Sequence, residues 1–207
     1  MKLSLKWIGS LIVAGILSAP LAAQETKPAP SPASAQAPAQ APAATPDQTP
    51  APPPPANPAD VASPDAIIAA AYDVISGPAG HPRDWKRFRS LFIEGGRLIA
   101  TGQDKDGNFH TRVVSPDGYV AMASAYFDKS GFYERESAHT TESWANIQQV
   151  FSTYESRHDS ADPTPFERGI NSFQLLSDGK RWYIVTIFWQ EESAANPIPP
   201  KYLPAKK

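Results

Sequence analysis

Residues Gly131 to Glu192, which begin GFYERESAHTTESW and end KRWYIVTIFWQE, decide the fold of this 207-residue chain. Four segments rich in β-branched and aromatic residues follow one another with little between them except turns: Gly131–Glu142, Ala145–His158, Glu167–Ser177 and Lys180–Glu191. Asp178-Gly179 is typical of a two-residue hairpin turn, because both central residues of such a turn need a positive φ. The stretch therefore predicts four consecutive antiparallel strands. At about 3.4 Å per residue they are roughly 40 Å long, which favours a strongly curved sheet.

The faces of this sheet can be sorted from the hairpin turn, because side chains alternate between the two faces of a strand. One face is predicted to be apolar near Asp178-Gly179 and polar at the far end, which is typical of a cavity. The side chains predicted to line this cavity are Tyr133, Arg135, Tyr154, Asn171 and Thr186, together with Tyr72 from the first helix. No Asp or Glu falls on this face. A bulge in any strand would reverse the faces beyond it.

The predicted lining has a definite chemical character. Neutral hydrogen-bond donors around the Arg135 guanidinium suit a small anion, a carboxylate or an enolate oxygen. The same polar groups could instead satisfy one another or buried backbone groups. His139 is the candidate for proton transfer, because a histidine pKa can lie near neutral, although a lone histidine on a strand often only packs.

Other classes of site have no support in the sequence. The chain has no cysteine, and histidines and carboxylates do not occur at metal-ligand spacing, so neither a metal nor a cofactor is expected. There is no glycine-rich phosphate loop. A net charge of −2 without a basic stripe argues against nucleic acid as a partner.

The N-terminal part of the chain predicts export. Residues 1–23 have a charged start, an uninterrupted apolar stretch and small residues before Gln24, as in a secretory signal peptide. An uncleaved membrane anchor is the alternative. Residues 24–62 are rich in proline and alanine and predict a disordered linker, and residues 63–207 are the folded domain. The expected location is periplasmic or secreted, with no stable membrane insertion after cleavage.

The start of the domain predicts three helices and a hairpin. Pro64–Ser76 and Pro116–Ser130 each follow a serine cap, and Asp84–Phe92 is a short helix between them. The basic residues from Arg83 to Arg89 are interpreted as a solvated helix face. A hairpin joins Arg97–Thr101 to Phe109–Val114. The proline-rich tail is expected to lie back over the sheet or the helices through Tyr202 and Leu203.

This order of elements resembles the NTF2-like superfamily, which includes ketosteroid isomerases, scytalone dehydratases and SnoaL-like cyclases. The helix-one text SPDAIIAAAYDVISG and the closing text DGKRWYIVTIFW carry the resemblance, which also extends to an uncharacterised group of exported bacterial NTF2-like proteins. The resemblance implies an α+β, cystatin-like cone, in which three N-terminal helices pack on a strongly curved antiparallel sheet. It also implies a homodimer through the sheet face.

Three functions of different classes follow. The first is binding of a small, partly apolar ligand in the cone, without defined catalysis. The second is a lyase or isomerase of the SnoaL or ketosteroid type that uses His139 with Tyr72 or Tyr154. The third is a structural or assembly module that acts through its sheet face. Binding ranks first, because acids are missing from the predicted inner face.

Overall fold

The computed structural model describes residues 52–104 and 106–205. The predicted signal peptide, and the predicted linker up to residue 51, lie outside these residues. The elements are a 3₁₀ helix (Pro58–Val61), α1 (Pro64–Ile75), α2 (Trp85–Ser90), β1 (Phe92–Gln103), β2 (Phe109–Val114), α3 (Pro116–Phe127), β3 (Tyr133–Trp144), β4 (Ile147–Arg157), β5 (Glu167–Ser177), β6 (Trp182–Glu191) and a 3₁₀ helix (Pro200–Tyr202). The predicted order of helices and strands is confirmed within this part of the chain. None of its helices is both long and apolar enough to span a bilayer.

The six strands form one sheet in the order β2-β1-β6-β5-β4-β3, which makes the domain a mixed α+β structure. All neighbouring strands are antiparallel except β1 and β6, which run parallel. The prediction of a fully antiparallel sheet is therefore wrong at this pair. No hairpin connects β1 to β6, so no turn in the sequence fixes their relative direction.

Two β-bulges change the faces of the sheet from those predicted. Ser137 is an extra residue in β3, because Glu136 pairs with Tyr154 while Ala138 pairs with Thr153. Val185 is an extra residue in β6, between the residues that pair with Leu175 and Gln174. Each bulge reverses the alternation beyond it. As a result Glu134 and Glu136 share the inner face with Tyr154, whereas Arg135 and Thr186 lie on the outer face.

The helices cover the inner face and form the core with it. Tyr72 of α1 packs its ring edge-on against Phe173 of β5, with 6.0 Å between the ring centroids. Aromatic contacts continue from Phe88 to Phe92 and Tyr119. The largest buried apolar side chains are Ile67, Phe88, Leu91, Phe92, Val150, Phe173, Leu175 and Ile184. Each contributes roughly 1.5–3 kcal/mol by leaving water.

A buried arginine organises the loop between α1 and α2. Arg83 is only 7 % exposed, and its guanidinium donates hydrogen bonds to the backbone carbonyls of Ile75, Gly77, Pro78 and His81. The interpretation of Arg83 to Arg89 as a solvated basic face is therefore wrong for Arg83, whereas Lys86 is exposed as expected. Arg83 thus supplies a partner for the carbonyl of Ile75 at the end of α1, and it also binds three carbonyls of the loop that follows.

Ordered packing begins before the predicted end of the linker. Asp60, in the first 3₁₀ helix, receives two hydrogen bonds from Arg87, at 2.8 and 3.0 Å, and Val61 is buried. Arg87 also pairs with Asp73 of α1. Residues 58–62 thus join the domain although they read as part of a proline-rich linker, because one aspartate and one valine there find partners on the helices.

Gly169 in β5 lies directly under the ring of Tyr154, its partner in β4. A Cβ atom added at this position would lie 2.6 Å from Tyr154 Cε1 and would also collide with the backbone carbonyl of Gln190. We therefore expect Gly169→Ala to lower the free energy of unfolding by about 2–3 kcal/mol, measured by urea denaturation. Ser172→Ala, on the outer face of the same strand, is the control and should change it by less than about 0.5 kcal/mol. Equal losses in the two variants would contradict the close approach.

A candidate functional site between α1 and β3

A cavity of about 490 Å³ lies between α1 and the edge strand β3. Ile68 and Ala69 of α1 give it an apolar wall, while acidic, hydroxyl and guanidinium groups supply the rest. The residues that line it are Asp65, Ile68, Ala69, Tyr72, Asp73, Ser76, Tyr133, Glu134, Arg135, Glu136, Arg157 and Ser160. Its size suits a small molecule rather than a polymer.

Ser76 at the end of α1 holds the helix against β3. Its hydroxyl accepts the backbone N–H of Glu134 at 3.0 Å and donates to the carbonyl of Tyr72 at 2.7 Å. One residue further on, the backbone of Gly77 pairs with that of Phe132. These contacts place the side chain of Tyr72 beside the side chain of Glu134, although 61 positions separate them in the sequence.

Glu134 lies at the centre of the polar groups on the inner face. Ser156 Oγ donates to Glu134 Oε2 at 2.9 Å, and Asn171 Nδ2 donates to Glu134 Oε1 at 3.2 Å. The same Asn171 amide donates to the hydroxyl of Tyr72 at 3.1 Å. Asn171 therefore fixes the carboxyl group and the phenol relative to each other.

The hydrogen bonds continue from Tyr72 to the edge of the sheet. The hydroxyls of Tyr72 and Ser152 are 2.7 Å apart, and Ser152 donates to Glu136. Because serine has only one hydroxyl proton, Tyr72 is the donor to Ser152. The other oxygen of Glu136 lies 2.7 Å from Nδ1 of His139. Six side chains thus form one continuous network from His139 to Glu134.

Burial changes the acidity of the groups in this network. Removal from water raises the pKa of Glu134 to about 7, against the smaller opposing effect of its hydrogen bonds from Ser156 and Asn171. Burial, aided by the nearby Glu134 carboxyl, also raises the pKa of Tyr72 far above its ordinary value. At neutral pH Tyr72 is a neutral phenol, whereas Glu134 can both give up and take up a proton.

A second carboxyl–phenol pair lies deeper on the same face. Tyr154 donates to Glu167 Oε1 at 2.8 Å, and burial raises the pKa of Glu167 to about 8. Burial also raises the pKa of Tyr154 well above 10. Tyr154 does not line the cavity. Since Glu167 does not line the cavity either, this pair does not meet a ligand there directly.

The structure brings together only part of the predicted site. Tyr72 and Asn171 are in contact, and His139 joins their network through Glu136. The prediction that Arg135, Tyr154 and Asn171 line one cavity is wrong, because Arg135 lines the cavity but Tyr154 and Asn171 do not. Arg135 pairs with Glu155 on the outer face, where the two side chains form an ion pair of 3.1 Å.

Two further predicted residues also lie on the outer side of the sheet. Tyr133 precedes the bulge of β3 and pairs with Arg157, and it borders the cavity at the edge of the sheet. Thr186 follows the bulge of β6 and pairs with Gln174, not with Asn171 as the predicted cross-strand row requires. Thr186 is not part of the site.

Sequence reasoning missed Glu134, Glu136, Ser152 and Ser156. The expectation that no acid lies on the inner face is wrong, because the bulge at Ser137 turns both glutamates inward. The residues around Ser137 are polar on both sides, so their alternation leaves no trace of an extra residue. Ser137 lies between a glutamate and an alanine, and this context is too common to mark a bulge.

Comparison with known proteins gives a likeness of fold. No family model and no curated protein matches the sequence. The solved structures that resemble it are NTF2-like proteins. One is an NTF2-like protein of unknown function from Silicibacter pomeroyi, with 17% identity, coverage of 63% of this chain and 94% of that chain, and a TM-score of 0.43.

Two other neighbours come from different bacteria. A protein with a cystatin-like fold from Nostoc punctiforme shares 12% identity over 61% of this chain and 86% of its own, with a TM-score of 0.46. A candidate ketosteroid isomerase from Kribbella flavida shares 14% identity over 70% and 89%, with a TM-score of 0.38. At these identities the likeness concerns the fold alone.

Proposed function

We propose that this domain binds a small, partly apolar molecule in the cavity between α1 and β3 and moves a proton on it through Glu134, as an isomerase or lyase does. The observation that carries this proposal is the position of Glu134, a carboxyl group with a pKa of about 7 at the wall of a cavity of about 490 Å³. A general acid or base is most effective when its pKa lies near the working pH.

Each residue around Glu134 has a role in this reaction. Ile68 and Ala69 offer an apolar wall to the body of the ligand. Ionised Glu134 takes a proton from a carbon next to a carbonyl, and Ser156 and Asn171 hold its carboxyl group in one orientation. The neutral phenol of Tyr72 is held beside it by Asn171. Glu134 then returns the proton to a second position on the ligand.

Binding without catalysis is the second candidate. It is favoured by the completeness of the network, because Tyr72, Ser152 and Asn171 already bond to one another and to the two glutamates. In this case the groups would serve as a fixed polar wall for a ligand with an oxygen or nitrogen atom.

Exchange of carbon-bound hydrogen for deuterium in a panel of small cyclic ketones tests the proposal. The rate, followed by proton NMR in deuterated buffer, should rise as the pH passes through about 7, since Glu134 acts as a base only when ionised. Glu134→Gln should lower the rate by at least about 100-fold. Glu142→Gln, on the exposed outer face of the same strand, is the matched control and should leave the rate unchanged.

The outcomes separate the two candidates. Line broadening of the ketones by the protein, with no exchange above the buffer rate, would support binding without catalysis. Exchange that persists in Glu134→Gln would assign the proton transfer to another group and overturn the proposal.

We also propose that the domain acts outside the cytoplasm as a cone-shaped module. The support for export is the sequence of residues 1–23, and the support for a cone is the placement of the helices on one face of the sheet. The length of a mature chain isolated from the host's periplasm or medium tests the first point, since cleavage before Gln24 is expected.

A further inference from the structure

The C-terminal tail lies on the outer face of the sheet. We call residues 196–205 the strap. The ring of Tyr202 stacks on Phe151 of β4 at 5.4 Å and 25°, and its carbonyl accepts a hydrogen bond of 2.5 Å from Thr153 Oγ1. Ile198 is buried and its N–H donates to Glu192. The expectation that the tail folds back through Tyr202 is confirmed.

The strap covers part of an apolar row that crosses the sheet. Strand pairing places five residues side by side on the outer face, in the order Val113, Ile99, Phe188, Ser172 and Phe151. Tyr202 covers Phe151 at one end. Phe188 and Val113 remain 44 % and 57 % exposed. One end of the row is therefore covered by the chain itself, whereas Phe188 and Val113 are open to solvent.

The neighbouring row carries opposite charges at its two ends. It runs Arg97, Thr186, Gln174, Gln149 and Glu142, and both charged residues are exposed. A two-fold axis along β5 would stack this row on its own copy in the reverse direction. Arg97 of one copy would then meet Glu142 of the other, so this row is complementary in charge to its own copy.

The same two-fold axis would also bring aromatic residues of the two copies into contact. Because β6 and β4 flank β5, it would bring Phe188 of one copy onto Phe151 of the other. Phe151 is the residue on which Tyr202 lies. We propose that the strap occupies the binding site for a second copy of this chain, and that displacing Tyr202 from Phe151 releases the outer face to form a two-fold dimer.

Several features of the strap would allow it to leave the outer face of the sheet and return to it. Its four prolines lack N–H groups and cannot pair with a strand, so the strap crosses the sheet without extending it. It is held by one aromatic stack, a few hydrogen bonds and the burial of Ile198. A second copy would offer a larger aromatic contact and two ion pairs. The homodimer expected from the sequence thus becomes conditional on the strap.

Sedimentation velocity of the full chain over a range of concentrations tests this proposal. Tyr202→Ala should strengthen self-association by about tenfold, because the variant lacks the aromatic stack that holds the strap over Phe151. Adding Phe188→Ser to that variant should abolish the gain, whereas adding Phe109→Ser, exposed but outside the matched row, should not. Circular dichroism confirms that each variant is folded.

Charge exchange supplies the second, independent measurement. In the Tyr202→Ala background, Arg97→Glu should weaken the dimer, and the further change Glu142→Arg should restore it, because the two residues meet across the axis. Equal association of Tyr202→Ala and the parent chain would overturn the proposal. Failure of Glu142→Arg to restore association would overturn the two-fold arrangement.

Discussion

Arg83→Ala is expected to lower the free energy of unfolding by about 3–5 kcal/mol, because the change removes four hydrogen bonds and takes from the carbonyls of Ile75 and His81 the donor that they have in the structure. The guanidinium donates to four backbone carbonyls between Ile75 and His81, and no other side chain of the described chain supplies donors to that set. It also lies 5.0 Å from the ring centroid of Phe127, a cation–π contact that ties the loop to α3. Urea denaturation followed by circular dichroism measures the loss.

Two further variants separate the effect of the positive charge of Arg83 from the effect of its planar guanidinium. Arg83→Lys keeps the positive charge but cannot reach several carbonyls at once, so it should recover less than half of the lost stability. Arg89→Ala removes a largely exposed ion pair with Asp117 and should cost less than about 1 kcal/mol. If Arg83→Ala were as mild as Arg89→Ala, the loop between α1 and α2 would not depend on the buried guanidinium.

The free energy of unfolding is also expected to fall as the pH rises from 6 to 9. Glu134 and Glu167 have pKa values of about 7 and about 8 in the folded chain and an ordinary value of 4.5 when unfolded. The folded state therefore holds more protons than the unfolded state between these values. The resulting stabilisation is complete below pH 4.5 and is lost as the pH rises through 7 and 8.

The expected loss between pH 6 and pH 9 is on the order of 2–4 kcal/mol, at about 1.4 kcal/mol for each pKa unit. Thermal or urea unfolding at four pH values measures it. Glu167→Gln should flatten the upper part of the curve, since an amide keeps the hydrogen bond to Tyr154 without a titrating proton. Glu142→Gln should leave the curve unchanged. A parent curve that is flat across this range would show that the two carboxyl groups are already ionised at pH 6.

The helices and strands of this fold could be predicted from local sequence features, such as helix caps and turn residues, that are also found in the folded structure. Ser63 and Ser115 cap α1 and α3 as expected, and β5 has the predicted bounds. A hairpin forms at Asp178-Gly179, but its loop has four residues, so Leu175 opposes Ile184 and not Trp182 as a two-residue turn predicts. Caps and turn residues thus mark where elements begin and end, whereas the exact register depends on the turn type.

The candidate site could not be predicted to the same extent, because it depends on the two bulges. In β3, the alternation of side chains between the two faces, counted from the turns, is predicted correctly as far as His139, which lies opposite Ser152. The prediction fails at Glu136. The stretch from Trp182 to Trp189 is mostly apolar on both sides of Val185, so its pattern does not reveal the second bulge either. Bulges of this kind arise from the packing of the whole sheet, which single-strand patterns do not contain.

Because of the bulge at Ser137, the charge of the cavity depends on the number of residues in β3 as well as on their types. Loss of one residue there would restore regular alternation and turn Tyr133 and Arg135 inward in place of Glu134 and Glu136. The inner face of β3 would exchange two carboxyl groups for a phenol and a guanidinium, without any substitution. Among relatives of this chain, insertions and deletions in β3 are thus as direct a route to a new ligand preference as the exchange of side chains.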